Sequence, residues 1–178
     1  VRRDLFSVYL GKEDVSVQEL EEYIEAHQDS FYRVAFTYVK DRDAALDVVQ
    51  NAVVQALTHI HTLREPAYMR TWFYRILVNE GLGYLRKNKH CLPVEELPED
   101  FASEEGDIAE RLDVYRAVSA LPPKLRTVVV LRFYEDMPLG DIARVTSTNL
   151  NTVKSRLYKA LAELRRDMAG ETQTAGKV

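Results

Sequence analysis

In each patterned stretch of this chain the apolar residues recur at three- and four-residue intervals, which requires helices and leaves little room for any other element. The clearest case is the C-terminal run from Asn149 to Arg166. Val153, Leu157, Leu161 and Leu164 form one stripe, and Asn149 can accept a hydrogen bond from a first-turn amide as an N-cap. Lys154, Arg156, Lys159, Arg165 and Arg166 set five cations against Glu163 and Asp167. Just upstream, Pro138 to Val145 predicts a short helix, set off by the turn Thr146-Ser147-Thr148. A short helix, a tight turn and a basic helix fit a helix-turn-helix that reads a DNA groove. They fit equally a surface helix whose charges only keep it soluble, and this stretch alone does not choose.

The rest of the chain follows the same period. Ser16-Val17-Gln18-Glu19 is a capping box that opens a stripe of Leu20, Tyr23, Ile24, Phe31, Val34, Ala35 and Tyr38. The polar interval His27–Ser30 is expected to divide it into two helices. Asp41 or Asp43 can cap the next helix, with Leu46, Val49, Val53, Ala56, Leu57 and Ile60 as its buried face. Its other face, Asp47, Gln50, Asn51 and Gln55, is polar and poor in cations. Pro66 breaks the pattern, and a long helix is predicted from about Ala67 to Lys87 with Met69, Trp72, Phe73, Ile76, Leu77 and Leu85 inward. Gly81 and Gly83 inside it each cost about 1 kcal/mol relative to Ala, for which close helix packing is the default reason. Helical signal resumes near Ile108 and runs through Leu112 and Val118 to Leu121. Pro123 then starts a helix buried through Leu125, Val128, Val129 and Leu131. Residues 1–15 are expected to be a loose extension and 170–178 a frayed tail.

Between the two patterned halves the charge changes sharply. Residues 91–110 hold eight acids and no Lys or Arg, while the whole chain carries net −4. The chain outside that segment is therefore net positive, and nucleic-acid binding depends on such local potential. With Pro93, Pro98 and no sustained period, the segment reads as a linker. The expected fold is all-α: two small helical domains joined by an acidic linker, the C-terminal one holding the helix-turn-helix. The domains are expected at 16–90 and 108–168, with the linker at 91–107. No apolar run is long enough to span a bilayer, and no signal-peptide pattern opens the chain. The single Cys91 fits a reducing cytoplasm.

No catalytic constellation is present. His27, His59, His61 and His90 lack metal-ligand spacing, and His59 and His61 point to different sides of a helix. There is no phosphate-binding loop, no dinucleotide fingerprint and no nucleophile elbow, so neither cofactor nor small-molecule substrate is expected. What stands out is residues 64–90, where Arg64, Arg70, Arg75, Arg86, Lys87 and Lys89 face only Glu65 and Glu80. Tyr68, Trp72, Phe73, Tyr74 and Tyr84 are interleaved with them. Cations neutralise phosphates and flat rings stack on unpaired bases, a mixture suited to single-stranded or melted DNA. Trp72 and Phe73 are better read as core from their stripe position. Asn79, with a donor and an acceptor, can pair with a base edge.

These residues carry a family resemblance. Asp43-Ala-Ala-Leu-Asp47-Val-Val-Gln50, then Thr71-Trp-Phe-Tyr-Arg75-Ile-Leu-Val-Asn79 and Tyr84-Leu-Arg-Lys, resemble the second conserved region of bacterial sigma factors. Ala120-Leu-Pro-Pro-Lys-Leu-Arg126, Leu131-Arg-Phe-Tyr-Glu135, Asp141-Ile-Ala143 and Thr152-Val-Lys-Ser-Arg156 resemble their fourth. Two regions and a short linker are similar to the extracytoplasmic-function class of the sigma-70 family, and Tyr38-Val-Lys40 and Asn151-Thr-Val-Lys154 to its sigma-V-type, envelope-stress branch. The resemblance implies that Asp47, Gln50, Asn51 and Val54 bind core RNA polymerase. It implies that Arg64, Arg70, Arg75, Asn79, Arg86 and Lys87 engage the minus-ten promoter element. It places Lys154, Ser155, Arg156, Tyr158 and Lys159 on the minus-thirty-five element, with Arg132 on phosphate. The implied partners are core polymerase, promoter DNA and a cognate, membrane-anchored anti-sigma factor, in the cytoplasm. The chain departs from the family at Asn51, usually an acid, at Pro138, usually Ser, and at Ser147 and Asn151, usually Gly. The alternative is a stand-alone helix-turn-helix regulator whose N-terminal half senses a ligand or dimerises.

Overall fold

The computed structural model describes residues 15–88 and 108–174; the acidic segment 91–107 and residues 1–14 lie outside them. Among the described residues the chain is helical and has no strand. Helix α1 (Val17–Val39) starts on the capping box, with the Glu19 amide donating to Ser16 Oγ at 3.1 Å and the Ser16 amide to the Glu19 carboxylate at 2.8 Å. It runs unbroken through His27–Ser30, where the sequence suggests a division. The reason is local: His27 bonds the Tyr23 carbonyl and its ring sits 4.4 Å from that of Tyr23, so the polar interval stays helical with His27, Gln28 and Asp29 exposed. Lys40 closes it in the left-handed conformation, φ 56°.

Asp41 caps α2 (Arg42–His59) by accepting from the Ala44 amide at 2.8 Å. Its inward face differs from expectation. Ala44, Ala45, Val48, Ala52 and Ala56 are buried, whereas Leu46 and Leu57 are exposed. Small side chains let α2 approach α1 and α3 closely, which turns the larger ones outward. Two 3-10 turns, Ile60–Thr62 and Pro66–Tyr68, lead into α3 (Met69–Lys87). Helices α1, α2 and α3 pack against one another around Phe31, Phe73 and Tyr74; the rings of Phe31 and Phe73 are 4.3 Å apart. At Gly81 a Cβ would lie 2.9 Å from Tyr38 Cδ2, so α3 meets α1 there without a side chain. Gly83 has no such neighbour.

The second domain begins with α4 (Ile108–Ala120) and α5 (Pro123–Val129), which continues into a π-helical turn over Val130–Tyr134. Helix α6 (Leu139–Val145) and helix α7 (Leu150–Thr174) complete it, α7 running past the point where the sequence suggests fraying. Asn149 accepts from the Thr152 amide at 2.8 Å, as its capping role requires. The turn between α6 and α7 holds Ser147 at φ 52°, a left-handed conformation that glycine adopts freely and serine does not.

The two domains touch. Helix α3 packs on α6, and the rings of Phe36 and Tyr115 approach to 6.1 Å. Both Val34–Val39 of α1 and the stretch Leu125–Leu131 are buried on every side, and they meet through Tyr38 with Thr127 and Arg126 with the Thr37 carbonyl.

Candidate nucleic-acid and polymerase interfaces

Three separate surfaces carry the residues singled out from the sequence. On α2, Asp47, Gln50, Asn51 and Val54 are all exposed and share one face, at spacings of three and four. Leu46 and Leu57 extend the same face, and Val54 is 59% exposed. An apolar stripe edged by carboxylate and amides, with no cation within it, repels phosphate and suits a protein surface.

Helix α3 does not keep its four cations, Arg70, Arg75, Arg86 and Lys87, on one face. At about 100° per residue, Arg75, Asn79 and Arg86 lie within ~40° around the axis, while Arg70 lies ~140° from Arg75. Arg75 and Asn79 open onto a cavity of about 480 Å³ that Gln55, His59, Thr62, Trp72, Ile76 and Glu80 also line. Trp72 is half-buried there, its indole Nε1 donating to Thr62 Oγ1 at 3.2 Å. Arg64 is exposed on the loop that rims this end of the domain, and Arg86 and Lys87 are exposed in the last turn. Arg70 instead donates to the carbonyl of Glu135 in the other domain. Phe73 is core, as its stripe position suggests, whereas Tyr74, interleaved with the cations in sequence, is buried with its hydroxyl donating to Glu135 Oε2. Tyr68 remains exposed, with the Arg144 guanidinium 5.3 Å from its ring centre. Gln55 and His59 were not singled out from the sequence as lining this cavity. Their spacing of four, just before the loop, is the signal that could have found them.

On α7 the exposed side chains form one arc. Lys154, Tyr158, Asn151, Ser155 and Lys159 span roughly 140° around the axis, all five exposed and Tyr158 71% so. Val153 and Ala160 are fully buried on the opposite side, with Leu157 and Leu164 packed beside them. Arg156, half-buried, sits at the edge of the arc and lines a hollow with Asn149, Thr152, Ser155 and Lys159. Arg132 is half-buried and donates to the Met137 carbonyl at 3.2 Å, which ties it to the turn after α5. Pro138 precedes α6 without a side-chain cap, where a serine could supply one.

Several titratable groups with displaced pKa lie at the domain contact. Burial pushes the Tyr38 phenol up to about 12, against a smaller opposing effect of its hydrogen bond to Thr127. Burial also raises Tyr74, reinforced by the Glu135 carboxylate, and burial raises Glu135 itself against the lowering effects of Tyr74, Arg33 and Arg70. No group of three or more metal-ligating side chains is present among the described residues. No helix among them is long and apolar enough to cross a membrane.

Comparison with known proteins bears on both domains. The family model for sigma-70 region 2 matches residues 23–91, and that for sigma-70 region 4 matches residues 111–164. The chain is 40% identical over 146 residues to the RNA polymerase sigma factor SigV of Bacillus subtilis, covering 82% of this chain and 88% of that protein. It is 33% identical over 157 residues to the RNA polymerase sigma-E factor of Streptomyces coelicolor, covering 85% and 87%. Among solved structures, the fold is similar to that of the sigma factor RpoE crystallised with the anti-sigma factor NepR from Bartonella quintana. The TM-score is 0.73 at 19% identity, covering 86% of this chain and 98% of that one.

Proposed function

The chain belongs to the sigma-70 family, and we propose that its three surfaces divide promoter recognition between two domains and one protein partner. It is an RNA polymerase sigma factor of the extracytoplasmic-function class, in the sigma-V branch, and it directs promoter-specific initiation. It binds and opens DNA for the polymerase and performs no catalysis itself. Residues 16–90 act as region 2, residues 91–107 as an acidic linker toward the polymerase, and residues 108–168 as region 4.

Within that division, Asp47, Gln50, Asn51 and Val54 dock on core RNA polymerase, where the outward leucines and Val54 supply the apolar contact. Arg64, Arg70, Arg75, Asn79, Arg86 and Lys87 engage the minus-ten element. The cavity beside Asn79 is wide enough for one extruded base, with the Asn79 amide against its edge and Trp72 in its wall. Lys154, Ser155, Arg156, Tyr158 and Lys159 enter the major groove at the minus-thirty-five element. Arg132 has part of its guanidinium left for phosphate, since one of its nitrogens is held by Met137. The protein acts in the cytoplasm, and a cognate, membrane-anchored anti-sigma factor holds it inactive during the absence of envelope stress.

One observation carries the reading: a cation-free apolar face on α2 and a cationic exposed arc on α7 occur in one chain. The second suits a DNA groove and the first a protein partner. Footprinting of promoter DNA with core polymerase and this protein tests it. Two protected stretches are expected, about 25 nucleotides apart, with thymines reactive to permanganate only at the downstream one. A single protected stretch, equally protected without polymerase, would refute it.

A further inference from the structure

The cavity beside Asn79 has two ring walls, His59 and Trp72, and hydrogen bonds within the protein hold both. The Trp72 indole Nε1 donates to Thr62 Oγ1 at 3.2 Å, ten residues back across the loop. The same hydroxyl donates its own proton to the His59 carbonyl at 2.7 Å. One side chain therefore joins the last residue of α2, the 3-10 turn Ile60–Thr62 and the first turn of α3. The His59 ring is held separately, its Nδ1 2.9 Å from the Gln55 carbonyl. A carbonyl only accepts, so Nδ1 carries a proton and Nε2 of the neutral ring is left as an acceptor. Directly after Thr62, the buried Leu63 roots the loop in the core, and Arg64 follows it at the surface. Asn79 lies seven residues beyond Trp72, within ~20° of it around the α3 axis, so ring and amide share one face of one helix.

We propose that this cavity is preformed and that Thr62 is its positioning residue: the Thr62 hydroxyl tethers Trp72 as a fixed wall, against which the extruded minus-ten base settles. The proposal rests on the function argued above. A ring used as a wedge has to turn about its side-chain bonds to follow a departing base, and turning breaks the bond to Thr62. A ring used as a wall keeps that bond and loses no rotamer freedom when the base arrives, so more of the stacking energy goes into holding it. Half-buried Trp72 has the placement of a wall, packed against the core on one side and lining the cavity on the other. The hydroxyl serves the loop as well. With its proton on His59, it holds the turn that leads to Arg64 in one conformation, so the cation and the ring meet the strand at a fixed separation. Thr62 acts on the base through Trp72, and its contribution is the placement of that ring.

Trp72 is the only tryptophan in the sequence, so indole fluorescence of the full chain reports this wall alone. Thr62→Val keeps the shape of the side chain and removes its hydroxyl, whereas Thr62→Ser keeps the hydroxyl. In the free protein, Thr62→Val is expected to lower the anisotropy of Trp72 and increase its quenching by acrylamide, and Thr62→Ser to match the parent. Open-complex lifetime is then measured for each protein with core polymerase, on a promoter pre-opened over the minus-ten element so that duplex melting drops out of the comparison. Thr62→Val is expected to shorten the lifetime about two- to tenfold, the worth of one hydrogen bond, and Thr62→Ser to restore it. An abasic nucleotide placed at each minus-ten position in turn is expected to erase the difference at one position, that of the held base. A difference that survives at every abasic position would overturn the role in holding a base, and unchanged Trp72 fluorescence in Thr62→Val would overturn the tether. A lowered melting temperature with parental lifetimes would also overturn the proposal and mark the hydroxyl as a cap of its turn. Failure of the parent to form any open complex would refute the function and this role with it, while the free-protein fluorescence would still judge the tether.

Discussion

At the scale of single residues, the two glycines of α3 make opposite demands that spacing could not distinguish. Gly81 admits no Cβ against the Tyr38 ring, whereas Gly83 faces nothing closer than 3.8 Å. Gly81→Ala is expected to destabilise the protein by displacing a buried ring, and Gly83→Ala to stabilise it by about 0.5–1 kcal/mol through helix propensity. Urea midpoints of the two variants check the pair, and equal effects would contradict the packing. Ser147 shows the reverse: the family's usual glycine is explained by φ 52°, and Ser147→Gly is expected to add about 0.5–1 kcal/mol to the thermal stability. Tyr38 makes a pH prediction. Its raised pKa means that folding favours the protonated phenol, so the stabilisation is complete below pH 10 and lost as pH rises toward 12. The parent should lose about 2 kcal/mol more than Tyr38→Phe between pH 9 and pH 11.5, measured by urea unfolding at the two pH values. Parallel losses would show that the phenol is not buried as described.

At the scale of elements, helix existence, the caps at Ser16, Asp41 and Asn149, and the exposed arc of α7 were all legible, because each depends on local chemistry and a 3.6-residue period. The inward face of α2 was not. Hydrophobic period assigns the largest apolar residues to the core, but this helix packs through Ala44, Ala45, Ala52 and Ala56 and leaves Leu46, Val54 and Leu57 exposed. Val54→Asp is accordingly expected to weaken core polymerase binding at least tenfold while leaving the melting temperature within a degree or two; a folding defect instead would place Val54 in the core. The same confusion affected Tyr74, whose place among cations suggested a base-stacking ring but whose hydroxyl is held by Glu135, 61 residues away. Lys159→Ala should weaken minus-thirty-five duplex binding by about 1–3 kcal/mol if it reads a base edge. Unchanged discrimination between promoters would rule out that contact.

At the scale of the whole molecule, the division into two helical domains followed from the acidic break in the pattern, but their mutual contact could not. Arg126, Thr127 and Glu135 read locally as the polar positions of one helix and the turn after it; only the fold shows that Thr37, Tyr38, Arg70 and Tyr74 meet them. Bonds separated by 61 to 89 residues leave no trace in local spacing. The cavity holding Asn79 was half legible for the same reason, since α3 supplies one wall and the end of α2 the other. The claim that unites the scales is that one chain grips a promoter at two points on behalf of the polymerase. Run-off transcription with purified core polymerase and a promoter library tests it most directly. Discrete transcripts that require both this protein and paired promoter elements, and that Asn79→Ala suppresses while polymerase binding persists, are the predicted result. Absence of polymerase binding, together with tight promoter binding by the protein alone, would contradict the account and mark the chain as a stand-alone DNA reader.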